Sequence, residues 1–244
     1  MKYLKLFEKS SDYQAFINGG GGVSLPNVSY CQKENEVHYN PYVDPTNGHS
    51  YVDLGLPSGT KWATMNIGAE KETDYGLYFA WGETQGYSGI TDEKQFSWDD
   101  YKYGTSSNLT KYNSTDGLTT LEPSDDAAAV NWGGKWKMPT VDQINELLNT
   151  ENCTNEWVEN YNNSGVNGRL FTSVRNGNKL FAPTAGGCDG GSLNYVGERG
   201  YVWSCALSSD DEVCAQDLGF GRGNAGLDYY CVRCCGLSVR AVFA

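Results

Sequence analysis

The side chains in this sequence that are best suited to chemistry are its cysteines, which gather near the C-terminus. Thiolates can hold zinc, but a zinc site needs a second pair of ligands with similar spacing. The CxxC formed by Cys231 and Cys234 has no such second pair, and the remaining spacings are irregular, unlike a disulfide framework. We therefore expect exposed or half-exposed free thiols and no metal. Six of the eight cysteines lie in the last quarter of the chain, at Cys188, Cys205, Cys214, Cys231, Cys234 and Cys235.

Candidates for acid–base chemistry are few. General acid–base catalysis usually relies on a histidine or on a carboxylate pair with perturbed pKa values. The only histidines, His38 and His49, lie far upstream of the cysteines. Several carboxylates, Asp210, Asp211, Glu212 and Asp217, could bind a cation, although a solvated acidic loop is the simpler interpretation. We predict that the protein is not an enzyme and has no cofactor.

The C-terminal tract has an unusual composition. No lysine follows Lys179, and from Asp217 to the end there is no Lys, Glu, Gln, Met or Trp. Tyr, Asp, Gly, Arg, Cys and Asn fill the tract, and all of them can arise when the first two bases of an asparagine codon change. Gly-, Tyr- and Asp-rich surface loops also avoid lysine by chance, but the joint bias favours a diversified binding surface.

The predicted binding surface combines aromatic, polar and arginine side chains. Tyrosine gives stiff contact area, small polar residues give adaptable hydrogen bonds, and arginine gives bidentate anchors. The predicted ligand-binding residues are Cys188, Asp189, Tyr195, Arg199, Tyr201, Asp210, Asp211, Asp217, Arg222, Asn224, Asp228, Tyr229, Tyr230, Cys231, Arg233 and Cys234. We expect most of these side chains to be exposed on one surface.

Strand alternation refines this expectation for the last part of the tract. If residues 229–233 are extended, Tyr229, Cys231 and Arg233 should share the exposed side, and Val232 should turn inward. Scaffold positions are expected where asparagine codons cannot supply the residue, at Glu198, Trp203, Glu212 and Gln216.

Charge and hydropathy limit the classes of partner. The net charge of −12 argues against binding nucleic acid or an anionic membrane surface. No apolar run approaches the roughly 20 residues needed to span a bilayer. The first residues are charged throughout, so we expect no secretory signal peptide.

The elements that must position these residues are short. We predict a small docking or oligomerisation element over residues 1–47, with one helix and two strands, and a larger domain over residues 48–244. The two are joined by a linker over residues 40–48. That domain has helices at Ala127–Trp132 and Val141–Asn149, the second opened by Pro139-Thr140. Strands are predicted at Tyr51–Ala63 around a tight turn, Asp74–Trp81, Arg169–Val174, Lys179–Ala182, Gly200–Ser204, Cys214–Phe220 and Leu237–Phe243. The fold class is therefore α+β.

Six ordered segments carry a family resemblance: YVDLGLPSGTKWATMNIGA, DYGLYFAWGET, WGGKWKMPTVDQINELL, NGNKLFAPTAG, GYVWSCALS and GLSVRAVF. Together they resemble domains with the C-type-lectin-like fold of the formylglycine-generating-enzyme subtype. Within that fold the chain most resembles the variable proteins of diversity-generating retroelements from Bacteroides-type bacteria and their phages. The resemblance covers about residues 51–243, and it implies short twisted antiparallel sheets, two short helices and long loops.

The resemblance also implies a function. Retroelement variable proteins are rewritten at adenines near the 3′ end of the gene, so this chain should be a non-enzymatic ligand-binding protein. We expect a phage tail component or surface adhesin, located on a virion or cell surface, that binds a bacterial surface protein or glycan. A homo-oligomer would suit weak individual sites.

Two alternatives follow from the same resemblance. Formylglycine-generating enzymes hold copper through cysteines, which would place copper at Cys231, Cys234 or Cys235. A purely structural virion domain is the other alternative. Calcium-dependent sugar binding is disfavoured, because Glu122-Pro123-Ser124 departs from the Glu-Pro-Asn loop that it would need.

Overall fold

The structure is a computed structural model that describes residues 42–45 and 47–244. The predicted N-terminal element, with its helix and two strands, lies almost entirely outside the described residues, as do the side chains of Tyr229 and Tyr230. Part of the predicted linker forms a strand instead, since Tyr42–Val43 pairs with Ser50–Tyr51. The first sheet of the larger domain therefore begins before residue 48.

The described chain is of the α+β class and consists mainly of short antiparallel strands. In chain order these are β1 (Tyr42–Val43), β2 (Ser50–Asp53), β3 (Lys61–Ala63), β4 (Tyr78–Phe79), β5 (Gly104–Thr105), β6 (Asn108–Leu109), β7 (Cys153–Val158), β8 (Gly168–Ser173), β9 (Lys179–Pro183), β10 (Gly187–Asp189), β11 (Ser192–Asn194), β12 (Arg199–Leu207), β13 (Cys214–Gly221), β14 (Ala225–Val232), β15 (Leu237–Ser238) and β16 (Val242–Phe243).

The strands form one central sheet and several smaller ones. The central sheet has the order β14-β13-β12-β15-β4, in which only β12 and β15 run parallel. A four-stranded sheet (β1-β2-β3-β16), a three-stranded sheet (β7-β8-β9) and two hairpins (β5-β6 and β10-β11) surround it. Strands β12, β13 and β14 are the longest in the described chain, and they pair with one register shift in each pair, so they form the platform of the C-terminal tract.

Both helices begin where the sequence predicts. Helix α1 (Ala127–Trp132) is capped by Asp126, whose side chain accepts hydrogen bonds from Ala128 and Ala129. Helix α2 (Val141–Leu148) is capped by Thr140 through a reciprocal capping box. Two 3₁₀ turns, Trp98–Asp100 and Tyr161–Asn163, complete the helical structure of the described residues.

Two predicted strands are wrong in extent, each for a backbone reason. Asp74–Trp81 is extended only at Tyr78–Phe79, because Gly76 adopts a positive φ of 75° that interrupts an extended chain. The predicted strand Leu237–Phe243 divides into β15 and β16, because the chain leaves the central sheet and joins the four-stranded sheet. The sequence did not predict strands β1, β5, β6, β7, β10, β11 and β14.

The central sheet separates two hydrophobic clusters. Trp81, Trp136 and Trp203 are buried in the first cluster, and Trp62 is buried in the second. The sequence predicts that all four tryptophans are core residues, and each is at most 1% exposed. Their burial is therefore confirmed.

Candidate functional site

One face of the strands β12, β13 and β14 changes from filled to open along its length. Residues directly opposite each other in antiparallel strands point to the same face of a sheet. At the end of this face that contains Trp203 and Asp217, called the inner end, the Trp203 ring fills the face. Toward the outer end, which contains Arg199 and Gly221, glycines replace large side chains. The opposed pairs on this face are Trp203–Asp217, Tyr201–Gly219 and Arg199–Gly221 between β12 and β13, then Asp217–Asp228 and Gly219–Gly226 between β13 and β14.

Two glycines at the open end, Gly219 and Gly226, are not required by the backbone or by packing. Neither Gly219 nor Gly226 has a positive φ. A Cβ on Gly226 would meet nothing within 4 Å, and one on Gly219 would make only ordinary contacts at 3.7–3.8 Å. By contrast, a Cβ on Gly200, on the other face of the sheet, would lie 2.2 Å from the Phe220 ring. The glycines of the open face therefore leave room for a ligand.

The open face forms a groove of about 750 Å³. The sequence-predicted residues that line it are Arg199, Tyr201, Arg222, Asn224 and Asp228. Each is exposed except Tyr201, which is half-buried. The register of the three strands therefore brings together five predicted residues from separate parts of the tract.

Polar contacts order the rim of this groove. Arg222 forms an exposed ion pair with Glu159, with 2.7 Å between Nη2 and Oε1. The Arg199 guanidinium lies 5.1 Å from the ring centre of Tyr195, which is 54% exposed. A hydrogen bond to the Tyr201 hydroxyl raises the pKa of Arg199, whereas burial raises the pKa of Tyr201. Tyr195 therefore extends the groove surface at its outer end.

Asp217 contradicts the expectation of exposure, because its side chain is 0% exposed at the inner end of the groove. Neither carboxylate oxygen has a hydrogen-bond partner. Burial, followed by the nearby Asp228 carboxylate, raises the pKa of Asp217 well above its ordinary value. The carboxyl group thus favours its protonated form in the free protein.

Arg233 is also buried, so the prediction that it shares an exposed side with Cys231 is wrong. Strand β14 ends at Val232, and Arg233 enters a turn, 0% exposed. Its guanidinium donates to the Tyr101 hydroxyl and to three carbonyl oxygens, each at 3.0 Å, and lies over the Trp81 ring at 5.1 Å. Val232 is half-buried against the first core cluster. Arg233 therefore ties the long loop after β4 to the sheet.

The cysteines are less exposed than expected. Cys188 and Cys234 are 1% and 3% exposed, so the prediction that they lie on the binding surface is wrong, while Cys231 is half-buried. Hydrogen bonds donated by the Cys231 and Cys234 thiols lower the pKa of Cys235 and raise their own. Within residues 42–45 and 47–244, no group of three or more His, Cys, Asp or Glu side chains is arranged to hold a metal ion.

Other predicted surface residues are exposed but do not line the groove. Asp210 and Asp211 lie in the loop between β12 and β13, at the opposite end of this hairpin from Arg199. That end is about 25 Å away at roughly 3.3 Å per residue. Asp189 is exposed beside Cys235, whose charge raises the pKa of Asp189. The expected single patch is therefore divided, and the side chains of Tyr229 and Tyr230 lie outside the described residues.

Three of the four expected scaffold residues have structural contacts. Trp203 is 0% exposed and donates to the Phe79 carbonyl, and Gln216 is 9% exposed and donates to the Leu207 carbonyl. Glu212 is exposed but accepts a hydrogen bond from the Ser114 backbone at 2.7 Å. Glu198 instead lines the groove.

Sequence reasoning missed the groove floor and its far wall. The floor glycines recur at alternate positions in GFGRG, at Gly219, Gly221 and Gly223, which indicates one side-chain-free strand face. The far wall comes from Trp157, Glu159 and Asn167 around β7, which no local signal connects to the C-terminal tract.

Comparisons of the chain with protein-family models, with curated proteins and with solved structures found no match. No helix among the described residues is long and apolar enough to cross a membrane.

Proposed function

We propose that this chain is a non-enzymatic ligand-binding protein that holds a macromolecular ligand in the groove between Arg199 and Asp228. The observation that carries the proposal is the glycine floor. Because Gly219 and Gly226 have ordinary backbone angles and free space, a larger residue would fit there and close the groove. Folding therefore does not require glycine at these two positions, and the open floor results from the absence of side chains there.

The composition of the rim supports the same proposal. Tyr195, Tyr201 and Trp157 provide aromatic contact area, while Arg199 and Asn224 provide adaptable polar groups on a rigid ladder. Tyrosine and small polar residues are the combination that antibody binding surfaces use, because they give contact area at low entropic cost. An open groove with polar walls suits a protein or glycan surface better than a small apolar ligand.

We further propose that the domain has the C-type-lectin-like fold of the formylglycine-generating-enzyme subtype. The capped helix α2 in WGGKWKMPTVDQINELL and the short twisted sheets agree with that resemblance. On this proposal the protein is a retroelement-diversified receptor-binding component of a phage tail or a surface adhesin. Its partner is a macromolecule on a bacterial surface.

Cell binding tests the proposed function. Fluorescently labelled protein is titrated onto a panel of intact Bacteroides strains, and Gly226→Trp is compared with wild type. As a matched control, Val130→Trp adds the same ring at a position 51% exposed on α1. We expect Gly226→Trp to lose at least about tenfold in affinity, or 1.4 kcal/mol, and Val130→Trp to lose none. Equal binding by both variants would refute a ligand-binding role for the groove.

A further inference from the structure

Two carboxylates face each other at the inner end of the groove. Asp217 on β13 is directly opposite Asp228 on β14. Side chains at such positions have Cβ atoms roughly 5 Å apart, and like charges there repel each other. Two carboxylates that share one site cannot both be ionised without cost, so the site favours either a bound proton or a cation.

Asp217 is the unsatisfied member of this pair. It is 0% exposed, and both of its oxygens lack a hydrogen-bond partner. Buried carboxylate oxygens without partners are rare in folded proteins, because the desolvated group loses its hydrogen bonds to water. The Asp217 oxygens can therefore accept hydrogen bonds from a ligand, because the described residues donate none to them.

The carboxylate lies directly beside the groove floor. Its Oδ1 is 3.7 Å from the point that a Cβ on Gly219 would occupy, and the Tyr201 ring edge is 3.8 Å from the same point. A ligand group that enters over Gly219 meets this half-buried ring first. The Tyr201 ring borders the approach to Asp217, and its face can attract a cation.

The surrounding groups identify the type of cation. Among the described residues, no group of three or more His, Cys, Asp or Glu side chains surrounds this site in a way that could hold a metal ion. An ammonium or guanidinium group needs only carboxylates and an aromatic neighbour.

We propose that the inner end of the groove is a subsite for a lysine or arginine side chain of a protein ligand, with Asp217 as its counter-ion and Tyr201 beside it. This inference rests on the proposed function, because it names the ligand chemistry of the same groove. A ligand cation would displace the proton that Asp217 otherwise holds. Among the side chains that the structure describes, the titratable groups that face Asp217 are Asp228 from β14, Tyr201 from β12, and Cys231 and Cys235 from the end of β14 and the following turn.

The test uses n-butylammonium chloride as a lysine side-chain probe, added to the ¹⁵N- and ¹³C-labelled full-length protein and followed by NMR. We expect saturable chemical-shift changes of the Gly219 and Gly226 amides. The pKa of the Asp217 carboxyl group, followed through its carboxyl carbon resonance, should fall when the probe binds. By linkage, the proton on Asp217 and the probe oppose each other's binding. Acidification that protonates Asp217 should therefore weaken probe binding about tenfold. 1-Butanol, of equal length but uncharged, should cause no saturable shift.

The isosteric variant Asp217→Asn should weaken probe binding at least about tenfold, while Asp210→Asn, at the far end of the hairpin, should leave it unchanged. If Asp217→Asn does not fold, the pKa change in the wild-type protein decides the question alone. No shift in folded wild-type protein, or equal shifts with 1-butanol, would overturn the subsite. Such a result leaves the cell-binding comparison of Gly226→Trp unaffected, so the two failures are distinguishable.

Discussion

Two regions of the C-terminal tract use the same residue types in opposite ways. Around Arg222 the tract is an open groove, and its arginine is exposed with a single surface ion pair. Around Arg233 it is a buried turn, and its arginine satisfies four acceptors at 3.0 Å each. Composition alone does not separate the two regions. Strand register does, because β14 ends at Val232 and the chain then turns into the core.

The largest difference between the two regions should appear when each arginine is removed. Arg233→Ala leaves a buried hydroxyl and three carbonyls without their donor, so we expect a loss of about 5 kcal/mol in unfolding free energy. Arg222→Ala should change it by less than about 0.5 kcal/mol, as at other exposed sites. Urea unfolding followed by tryptophan fluorescence measures both. Similar losses for the two variants would mean that the regions do not differ.

Aromatic residues of the tract should follow the same division. Trp203→Ala removes a fully buried ring and its hydrogen bond to Phe79, at a cost of about 3–5 kcal/mol. Tyr195→Ala, at an exposed position, should cost less than about 0.5 kcal/mol. Thermal unfolding gives the order directly, and a larger loss for Tyr195→Ala would reverse the assignment of core and face.

Glycines on the two faces of the same ladder offer a sharper comparison. Gly200→Ala forces a methyl group into the Phe220 ring and should destabilise the fold by about 1–3 kcal/mol. Gly219→Ala has room in the groove and should change stability by less than about 0.5 kcal/mol. Chemical denaturation of both variants tests whether the groove floor is open in solution. Equal destabilisation would show that the floor is closed.

The pH dependence of stability isolates Asp217. Because its pKa is raised in the folded protein, the folded chain keeps a proton that the unfolded chain has released above the ordinary aspartate pKa of 3.8. Stability from this group is therefore present at low pH and lost as pH rises towards the folded pKa. Asp217→Asn should be more stable than wild type at neutral pH, and the gap should close as pH approaches 3.8. A gap independent of pH would contradict the raised pKa.

The smallest effect should come from the exposed ion pair at the rim. A double-mutant cycle with Arg222→Gln and Glu159→Gln should give a coupling of roughly 0.2–1 kcal/mol, because both side chains are mostly exposed. The coupling should fall further in 1 M salt, where charges are screened within about 3 Å. A coupling that salt does not change would mean that the pair is more enclosed than its exposure indicates.

The fold was more predictable than the site, for reasons that particular residues make clear. Thr140 and Asp126 are local helix-capping signals, and Trp62 and Trp203 are large apolar residues with no alternative to burial. Arg233 gave no local signal of burial, because three of its four acceptors lie on a loop more than a hundred residues earlier. The groove wall at Trp157 is equally non-local. Contacts between residues far apart in the sequence determine both the burial of Arg233 and the position of this wall, and composition does not reveal such contacts.

Sequencing the 3′ end of this gene in many isolates tests the central claim most directly. We expect substitutions at adenines to concentrate in codons of groove residues such as Tyr201, Gly219, Arg222, Asn224 and Asp228. The codons of the buried turn from Arg233 to Cys235 should not vary, because their side chains hold the fold together. An invariant groove, or a turn that varies as much as the groove, would contradict a diversified binding surface.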